Sequence, residues 1–434
     1  MVAAMLPSQF MRPRADRVLA ALDVGSSKVA ALIAITDGEN PPRVIGSGVR
    51  ACTGLRRGLV ADMALTEQAI RTAMMQAEKA AGVQIESVLV NLSAGGLDSD
   101  VMSVEMDIAG HRVSNDDMVS LLTAGRQRID DRFGKQGRET LHAEPTLYTI
   151  DGLDGVINPR GFHAERLQVD IHVVTAARPP CRNLDLVVRN AHLNVESIVA
   201  SGVAASTAVL NDEERELGVA VVELGAGITT VSVHGGGMLA GLVAIQMGAA
   251  DITADIAANF ATQRAAAERL KTLHGAATAV PRDNHEMIEV PPLDPDDGQE
   301  PRRIPRSELI MVIRTRLDML FAEISDALRE FGFHGAAGRQ VVLTGGGAEL
   351  PGIADFAQGV LSRNVRIGRP RGLVGLPEAQ GGAAFASLAG LILVGSSVRL
   401  DLSRMPLRAV SGARAGNEPK SAFARLFQQL RRQI

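Results

Sequence analysis

Two short stretches set a carboxylate beside small residues at the end of an apolar run. They are Asp23-Val24-Gly25-Ser26-Ser27-Lys28 and Glu223-Leu224-Gly225-Ala226-Gly227-Ile228. Glycine in a tight turn lets backbone N–H groups approach an anion, because no Cβ stands in the way. A neighbouring carboxylate can face a metal ion or a water held by that anion. Asp23 and Glu223 are therefore the candidate catalytic groups and the candidate Mg²⁺ holders, acting through water. A third stretch, Val341-Val342-Leu343-Thr344 followed by Gly345, Gly346 and Gly347, ends an apolar run in three glycines. Such an end permits close approach by a flat ligand at the edge where α/β sheets bind ligands. Taken singly, each stretch also reads as an ordinary hairpin turn or strand-to-helix loop.

The elements that must position these turns alternate along the chain. The pattern predicts strands over 18–24, 29–35, 43–49 and 87–92, and a helix over 65–81 that stops at Gly82. The cycle restarts with strands over 219–224, 228–234 and 238–245. Helices are predicted over 249–260, 265–273, 307–331 and 353–361, with a strand over 341–343. The restart is an internal repeat at an offset of 200 residues: Leu22-Asp23-Val24-Gly25 lines up with Val222-Glu223-Leu224-Gly225. Two such turns on equivalent units can face each other across a cleft and grip one polyphosphate.

Composition narrows the alternatives. The chain has 434 residues, 46% apolar and 22% charged, enough for a large core in about three domains or one bilobed body. Its net charge of −4, its lack of Trp and its single Tyr148 give no platform for nucleic acid. Cys52 and Cys181 are the only cysteines, which excludes a disulfide framework and fits a reducing compartment. The nine histidines are scattered, and neither H-E-x-x-H nor G-x-S-x-G occurs. The longest mostly apolar stretch, 383–394, is too short to span a bilayer, and the N-terminus lacks the layout of a signal peptide. Residues 283–300 hold seven acids, no Lys or Arg and three prolines, and are expected to form an exposed acidic loop.

Charge gathers at the C-terminal end. Over 403–434, seven basic residues oppose Glu418, a net +6. Within 421–434, Phe423, Leu426, Phe427, Leu430 and Ile434 recur on one helical face, flanked by Arg425, Arg431 and Arg432. This stripe suits a helix lying in the plane of an anionic membrane, tethered by the Pro- and Gly-containing segment 403–420. One such helix is a weak anchor, and a polymer presenting many would bind by avidity.

The two phosphate turns with a late triple-glycine turn resemble the actin/Hsp70/sugar-kinase superfamily. Within it the chain resembles the bacterial cell-division FtsA family, in LDVGSSK at 22–28, INPRG at 157–161, DEERELG at 212–218, AERLKTLHG at 267–275, IEVPP at 288–292, VVLTGGGAELP at 341–351 and VRIGRP at 365–370. The resemblance implies an α/β, actin-like two-lobed fold made of duplicated RNase H-like domains. It also implies an inserted α+β subdomain, 1C, and a C-terminal amphipathic helix. The expected divisions are 17–92 and 175–213 for subdomain 1A, 93–174 for 1C, 214–248 and 307–402 for 2A, 249–306 for 2B, 403–420 for the linker and 421–434 for the membrane helix.

Membership would imply ATP and Mg²⁺ binding, self-assembly through 1C and lobe contacts, and docking to lipid at the cytoplasmic face of the inner membrane at the division septum. It would imply tethering of FtsZ through that partner's C-terminal tail and recruitment of later divisome proteins. By the same resemblance, Gly25, Ser26, Ser27 and Lys28 form the first phosphate turn, and Gly225, Ala226, Gly227 and Ile228 the second. Glu268 and Lys271 would meet ribose and adenine, and Gly345, Gly346 and Gly347 would form the adenosine turn. Arg302 and Arg316 are carried as contacts for the acidic FtsZ tail, with pairing to the nearby acidic loop as the alternative. The second turn departs from the superfamily's D-x-G-G-G-T pattern in Glu223, Ala226 and Ile228. A misplaced metal or water costs much rate, so hydrolysis is expected to be slow at most, with nucleotide acting as a conformational and assembly ligand. Two rivals stay open: a PilM-like pilus-assembly protein and a small-molecule kinase of the superfamily.

Overall fold

The computed structural model describes residues 17–94, 96–294, 300–333, 340–397 and 400–404. The repeat seen in the turns extends through two whole sheets. In the first half, Arg17–Val24, Lys28–Thr36 and Arg43–Ala51 form an antiparallel meander. Ser87–Leu92 then adds parallel to Arg17–Val24, and Asn194–Ala200 adds parallel beyond it. In the second half, Val219–Leu224, Thr229–Gly235 and Met238–Ile245 repeat the meander. Gln340–Thr344 and Asn364–Ile367 repeat the two parallel additions. Strand order is therefore equivalent in both halves.

These strands are apolar on both faces because helices cover both faces. Along Arg17–Val24, Ala20 and Leu22 meet Ile70, Ala73 and Met74 of helix Met63–Ala81, while Leu19 and Ala21 meet Leu388, Leu391 and Ile392 of helix Ala386–Ser396. The alternation follows from the two-residue period of a strand. Helix Met63–Ala81 starts where the Asp62 carboxylate accepts from the Leu65 N–H and ends at Gly82, whose φ of 69° closes the last turn. It lies so close to the sheet that a Cβ on Gly48 would stand 2.0 Å from the Ala73 carbonyl oxygen. Helix Ala386–Ser396 is apolar all round. It is buried between the halves, against helix Ser201–Val209, with Gly390 packed on the Ala204 carbonyl. That placement accounts for the apolar stretch at 383–394. Among the described residues, no helix is long and apolar enough to cross a membrane.

Between Leu92 and helix Arg178–Asn190, which packs back into the core of the first half, the chain builds a separate unit. Strands Asp98–Asp107, Arg138–Ile150, Leu153–Val156 and Arg166–Ala177 pair antiparallel. Helix Asn115–Lys135 covers one face, placing Leu121, Ile129 and Phe133 on Leu167, Val169 and Ile171. One ladder contact, Val243 to Asp98, joins this small sheet to the second half's sheet. The last described residues return to the unit. Leu402 is fully buried in its core, and the Asp401 carboxylate accepts from Ala143 N at 2.9 Å and lies 3.3 Å from His142 Nδ1.

The remaining insertion, in the second half, holds helices Ala249–Phe260 and Arg264–His274 before the long helix Arg306–Glu330. Here the expected exposed loop over 283–300 is corrected. Met287–Val290 is a strand paired with Arg302–Pro305, and Asp283 is buried, ion-paired to Arg306 at 2.8 Å. Ile288, Val290 and Ile304 supply the apolar face that folds this hairpin onto helix Arg306–Glu330. Their two-residue alternation was hidden by the surrounding acids.

Candidate nucleotide site

Both turns close in the same way. Gly25 N donates to Lys28 O at 3.0 Å, and Gly225 N donates to Ile228 O at 3.0 Å. Neither glycine has room for a side chain: a Cβ would stand 3.0 Å from Lys28 O in the first turn and 2.5 Å from Ile228 O in the second. The turns face each other across a cleft of about 670 Å³ between the halves. Every residue assigned above to the phosphate and adenosine contacts lines it: Gly25, Ser26, Ser27, Lys28, Gly225, Ala226, Gly227, Ile228, Glu268, Lys271, Gly345, Gly346 and Gly347, together with Asp23 and Glu223. The volume suits a nucleotide-sized ligand.

The charged groups are arranged about the turns. Burial raises the Asp23 carboxyl above the usual range, offset in part by Lys28 and by Asn91, whose amide donates to Asp23 Oδ1 at 2.6 Å. Burial, aided by the nearby Asp23 charge and opposed by the Ser387 and Ser201 hydroxyls, raises Glu223 to about 7. Ser387 donates a hydrogen bond to Glu223 Oε1, while Glu223 Oε2 is buried with no hydrogen-bond partner. Two half-buried carboxylates on facing turns, one with an orphaned oxygen, form a donor set suited to a divalent cation whose remaining ligands are water and phosphate. The Lys28 ammonium rests 3.4 Å from the Phe385 ring centroid, and burial lowers its pKa.

The wider end of the cleft is built from helix Arg264–His274. Glu268 and Lys271 do form an ion pair, at 2.7 Å, and Lys271 also reaches Thr253 Oγ1 at 2.8 Å and Ala249 O at 3.1 Å. Lys271 is thus fixed at the cleft wall rather than solvated. The glycine turn starts at Gly345, whose φ of 83° and tight approach to the Leu224 carbonyl (a Cβ would stand 2.6 Å away) exclude side chains. Beside Glu223, the departures at Ala226 and Ile228, with the Thr229 that Ile228 displaces, take these places. Ala226 is accommodated, with its carbonyl accepting from Ala250 N at 2.7 Å. Ile228 is buried, and the Thr229 hydroxyl is committed to Met247 O at 2.9 Å.

Several contributors were not visible in the sequence reading. Asn91, Ser387 and Phe385 reach the turns from distant elements. So does Arg57, on the short hairpin Leu55–Arg56/Leu59–Val60. The Arg57 guanidinium reaches from the first half to the second, donating to Gln246 O and pairing with Asp251 at 3.1 Å. On the same hairpin, Gly58 N donates to Ser26 Oγ at 2.9 Å. None of these sits in a local pattern that spacing could reveal.

Elsewhere, Arg316 makes a two-pronged pair with Asp255, at 2.6 and 2.7 Å. Arg302 is exposed, with its guanidinium 5.7 Å from the Phe260 ring centroid. Arg303 pairs with Glu289 at 3.7 Å. The membrane residues Phe423, Leu426, Phe427, Leu430, Ile434, Arg425, Arg431 and Arg432 lie outside the described residues.

Comparison with known proteins follows the same outline. A family model described as cell division protein FtsA matches residues 220–390, and one described as the SHS2 domain inserted in FtsA matches 95–175. The chain is 37% identical over 431 residues to the FtsA of Rhizobium meliloti strain 1021, covering 96% of this chain and 95% of that one. It is 31% identical over 395 residues to the FtsA of Escherichia coli K12, covering 89% and 92%. Among solved structures, the type IV pilus PilM–PilN complex aligns with a TM-score of 0.61 at 18% identity, covering 89% of this chain and 100% of that one. Spiroplasma citri MreB5, solved with ADP, aligns with a TM-score of 0.51 at 13% identity, covering 88% and 96%. At these identities the last two likenesses are of fold and support the actin-like architecture, while the inserted unit is the one the SHS2 model matches. The near-full-length relatives establish more: the chain belongs to the FtsA family of cell-division proteins.

Proposed function

We propose that the cleft binds ATP with Mg²⁺, and that occupancy sets the conformation in which the chain assembles on a membrane and holds FtsZ there. The observation that carries this reading is the meeting of both glycine turns and the Gly345–Gly347 turn in one cavity between duplicated halves. N–H groups of the two turns and Lys28 would hold the phosphates. Asp23 and Glu223 would hold Mg²⁺ through water, and the Glu268–Lys271 pair would meet the ribose and adenine. Bound Mg²⁺ would neutralise phosphate charge and screen the two carboxylates from each other. A polyphosphate gripped by both halves closes them together, so ligand energy is spent on interlobe geometry.

Hydrolysis in this reading is slow at most. The Thr229 hydroxyl is turned to Met247 O, and the buried Ile228 offers no hydroxyl to orient an attacking water. Nucleotide is then chiefly an assembly ligand. The 421–434 helix would lie in anionic lipid at the cytoplasmic face of the inner membrane, at the division septum. Contacts through the inserted unit and the lobes would build the polymer. The Arg302 and Arg316 region would receive the FtsZ tail, and later divisome proteins would join the assembly.

The test is co-sedimentation with anionic liposomes, with and without ATP, in the presence of FtsZ. Wild-type protein should pellet in an ATP-enhanced manner and carry FtsZ down. Phe427→Glu should leave both in the supernatant, because a charge replaces a large apolar side chain in the membrane-facing stripe. Undiminished pelleting of Phe427→Glu would remove the tail from the account.

A further inference from the structure

The duplicated halves make it possible to ask, position by position, what holds each carboxylate. In the first half Asp23 is held by its neighbour in the parallel strand. The register places Ala21 opposite Leu89 and Leu22 opposite Val90, so Asn91 follows beside Asp23 and donates to Oδ1 at 2.6 Å. The Asn91 side-chain oxygen, Oδ1, also accepts from Val24 N at 2.8 Å, which locks the amide in place. In the second half the equivalent neighbour of Glu223 is Thr344. Its hydroxyl is spent elsewhere, on Gly368 O at 2.9 Å and Ala383 O at 3.3 Å. The partner that restrains Asp23 therefore has no counterpart acting on Glu223.

Glu223 finds a different one. Its side chain is longer than aspartate by one methylene and reaches past the Thr344 position to the start of helix Ala386–Ser396, where Ser387 donates to Oε1. Ser387 is buried, and its segment is itself fixed. Gly345 N donates to Ala383 O at 3.0 Å, Ala384 N donates to Glu349 Oε1 at 3.3 Å, and the Phe385 ring carries Lys28 of the opposite turn. Ser201, which also faces Glu223, lies 3.4 Å from the Thr230 hydroxyl. With Oε1 anchored, Oε2 is left buried and without a hydrogen-bond partner, in a residue that lines the cavity.

We infer that Ser387 is a positioning residue for the metal–nucleotide site, holding Glu223 so that its second oxygen faces the place where the cation sits. The inference rests on the nucleotide reading above and goes beyond it by naming what replaces the Asn91 device in the second half. It accounts for glutamate at 223. A side chain of aspartate length would be one methylene short of the Ser387 hydroxyl, and glutamate without that hydroxyl would lose the anchor on Oε1.

The test is equilibrium binding of ATP, measured with Mg²⁺ and with excess EDTA, for wild type, Ser387→Ala, Ser387→Thr, Glu223→Gln and the Ser387→Ala/Glu223→Gln double variant. Thermal unfolding of each variant checks its fold. Ser387→Ala should lose about tenfold in affinity with Mg²⁺, the scale of one hydrogen bond to a charged group, and change little in EDTA. Ser387→Thr should restore most of the loss. In the Glu223→Gln background the same alanine change should cost less than about twofold, since residues acting through one another are not additive. An unchanged Mg²⁺-dependent affinity in Ser387→Ala overturns the inference. So does a loss that persists undiminished in the Glu223→Gln background, or a wild type that binds ATP equally with and without Mg²⁺. A wild type that binds no nucleotide in either condition overturns the proposed function as well.

Discussion

At the scale of single residues, the cleft depends on missing side chains as much as on charged ones. Gly225 is the sharpest case, because a Cβ there would stand 2.5 Å from Ile228 O, within the hydrogen bond that closes the turn. Gly225→Ala should weaken ATP binding by at least about tenfold in a fluorescence or calorimetric titration, with the fold retained. Gly25 and Gly225 were legible in the sequence, because an acid, an apolar residue and a glycine recur at a fixed offset. Asn91 and Ser387 were not. Each reaches its carboxylate from an element far along the chain, and a lone Asn or Ser carries no spacing signal. The same holds for Asp401. Its carboxylate is held well below the usual range by the His142 imidazole and by hydrogen bonds from Ser403 and Ala143, despite a burial that acts the other way.

At the scale of elements, periodicity served long amphipathic helices and apolar strands well. Helix Ala249–Phe260 and helix Ile353–Leu361 have the bounds that spacing predicts. It failed at Met287–Val290, a four-residue strand whose alternation of Ile288 and Val290 was masked by acids and prolines. The Leu55–Val60 hairpin is too short for any pattern, yet it ties the two halves together. Arg57 ties it to Asp251 on the second half, and Gly58 ties it to Ser26 in the first turn. Arg57→Ala should therefore speed release of bound nucleotide by about fivefold in a stopped-flow chase, since interface changes act mainly on dissociation.

The inserted unit carries its own pH sensitivity. His172 is buried with Nε2 unpartnered, and burial, with His142 beside it, pulls it down to about 4. His142, Glu144, Arg215 and His234 line the same small cavity. The unfolded chain binds this proton more readily than the folded one. The stabilisation is therefore complete above the unfolded value near 6.5 and is lost as pH falls toward 4. Chemical denaturation should show stability dropping by up to about 3 kcal/mol over that window from this group. His172→Gln should flatten the profile, and an unchanged acid limb would remove His172 as its source.

At the scale of the whole molecule, duplication explains more than either half alone. Two sheets of equivalent order place two equivalent turns face to face, and helices Ser201–Val209 and Ala386–Ser396 pack between them. The inserted unit hangs from the first half yet pairs with the second through Val243 and Asp98, and it holds the last described residues through Leu402. The root of the C-terminal segment is thus fixed to the inserted unit rather than to either half. The repeat and the family were legible in the sequence. The junctions were not, because they are made by isolated contacts such as Arg57 to Asp251 and Asp401 to His142. The proposed FtsZ surface shows the same limit: Arg316 is engaged by Asp255, and Arg302 presents its guanidinium beside Phe260.

The central claim is that one nucleotide is gripped by both turns. A crystal structure of the chain with a non-hydrolysable ATP analogue and Mg²⁺ tests it most directly. The account predicts phosphates lying between Gly25–Lys28 and Gly225–Ile228, with the cation facing Asp23 and Glu223 and the base beside Lys271. Density for the analogue anywhere else on the molecule, or phosphates touching only one turn, would contradict it.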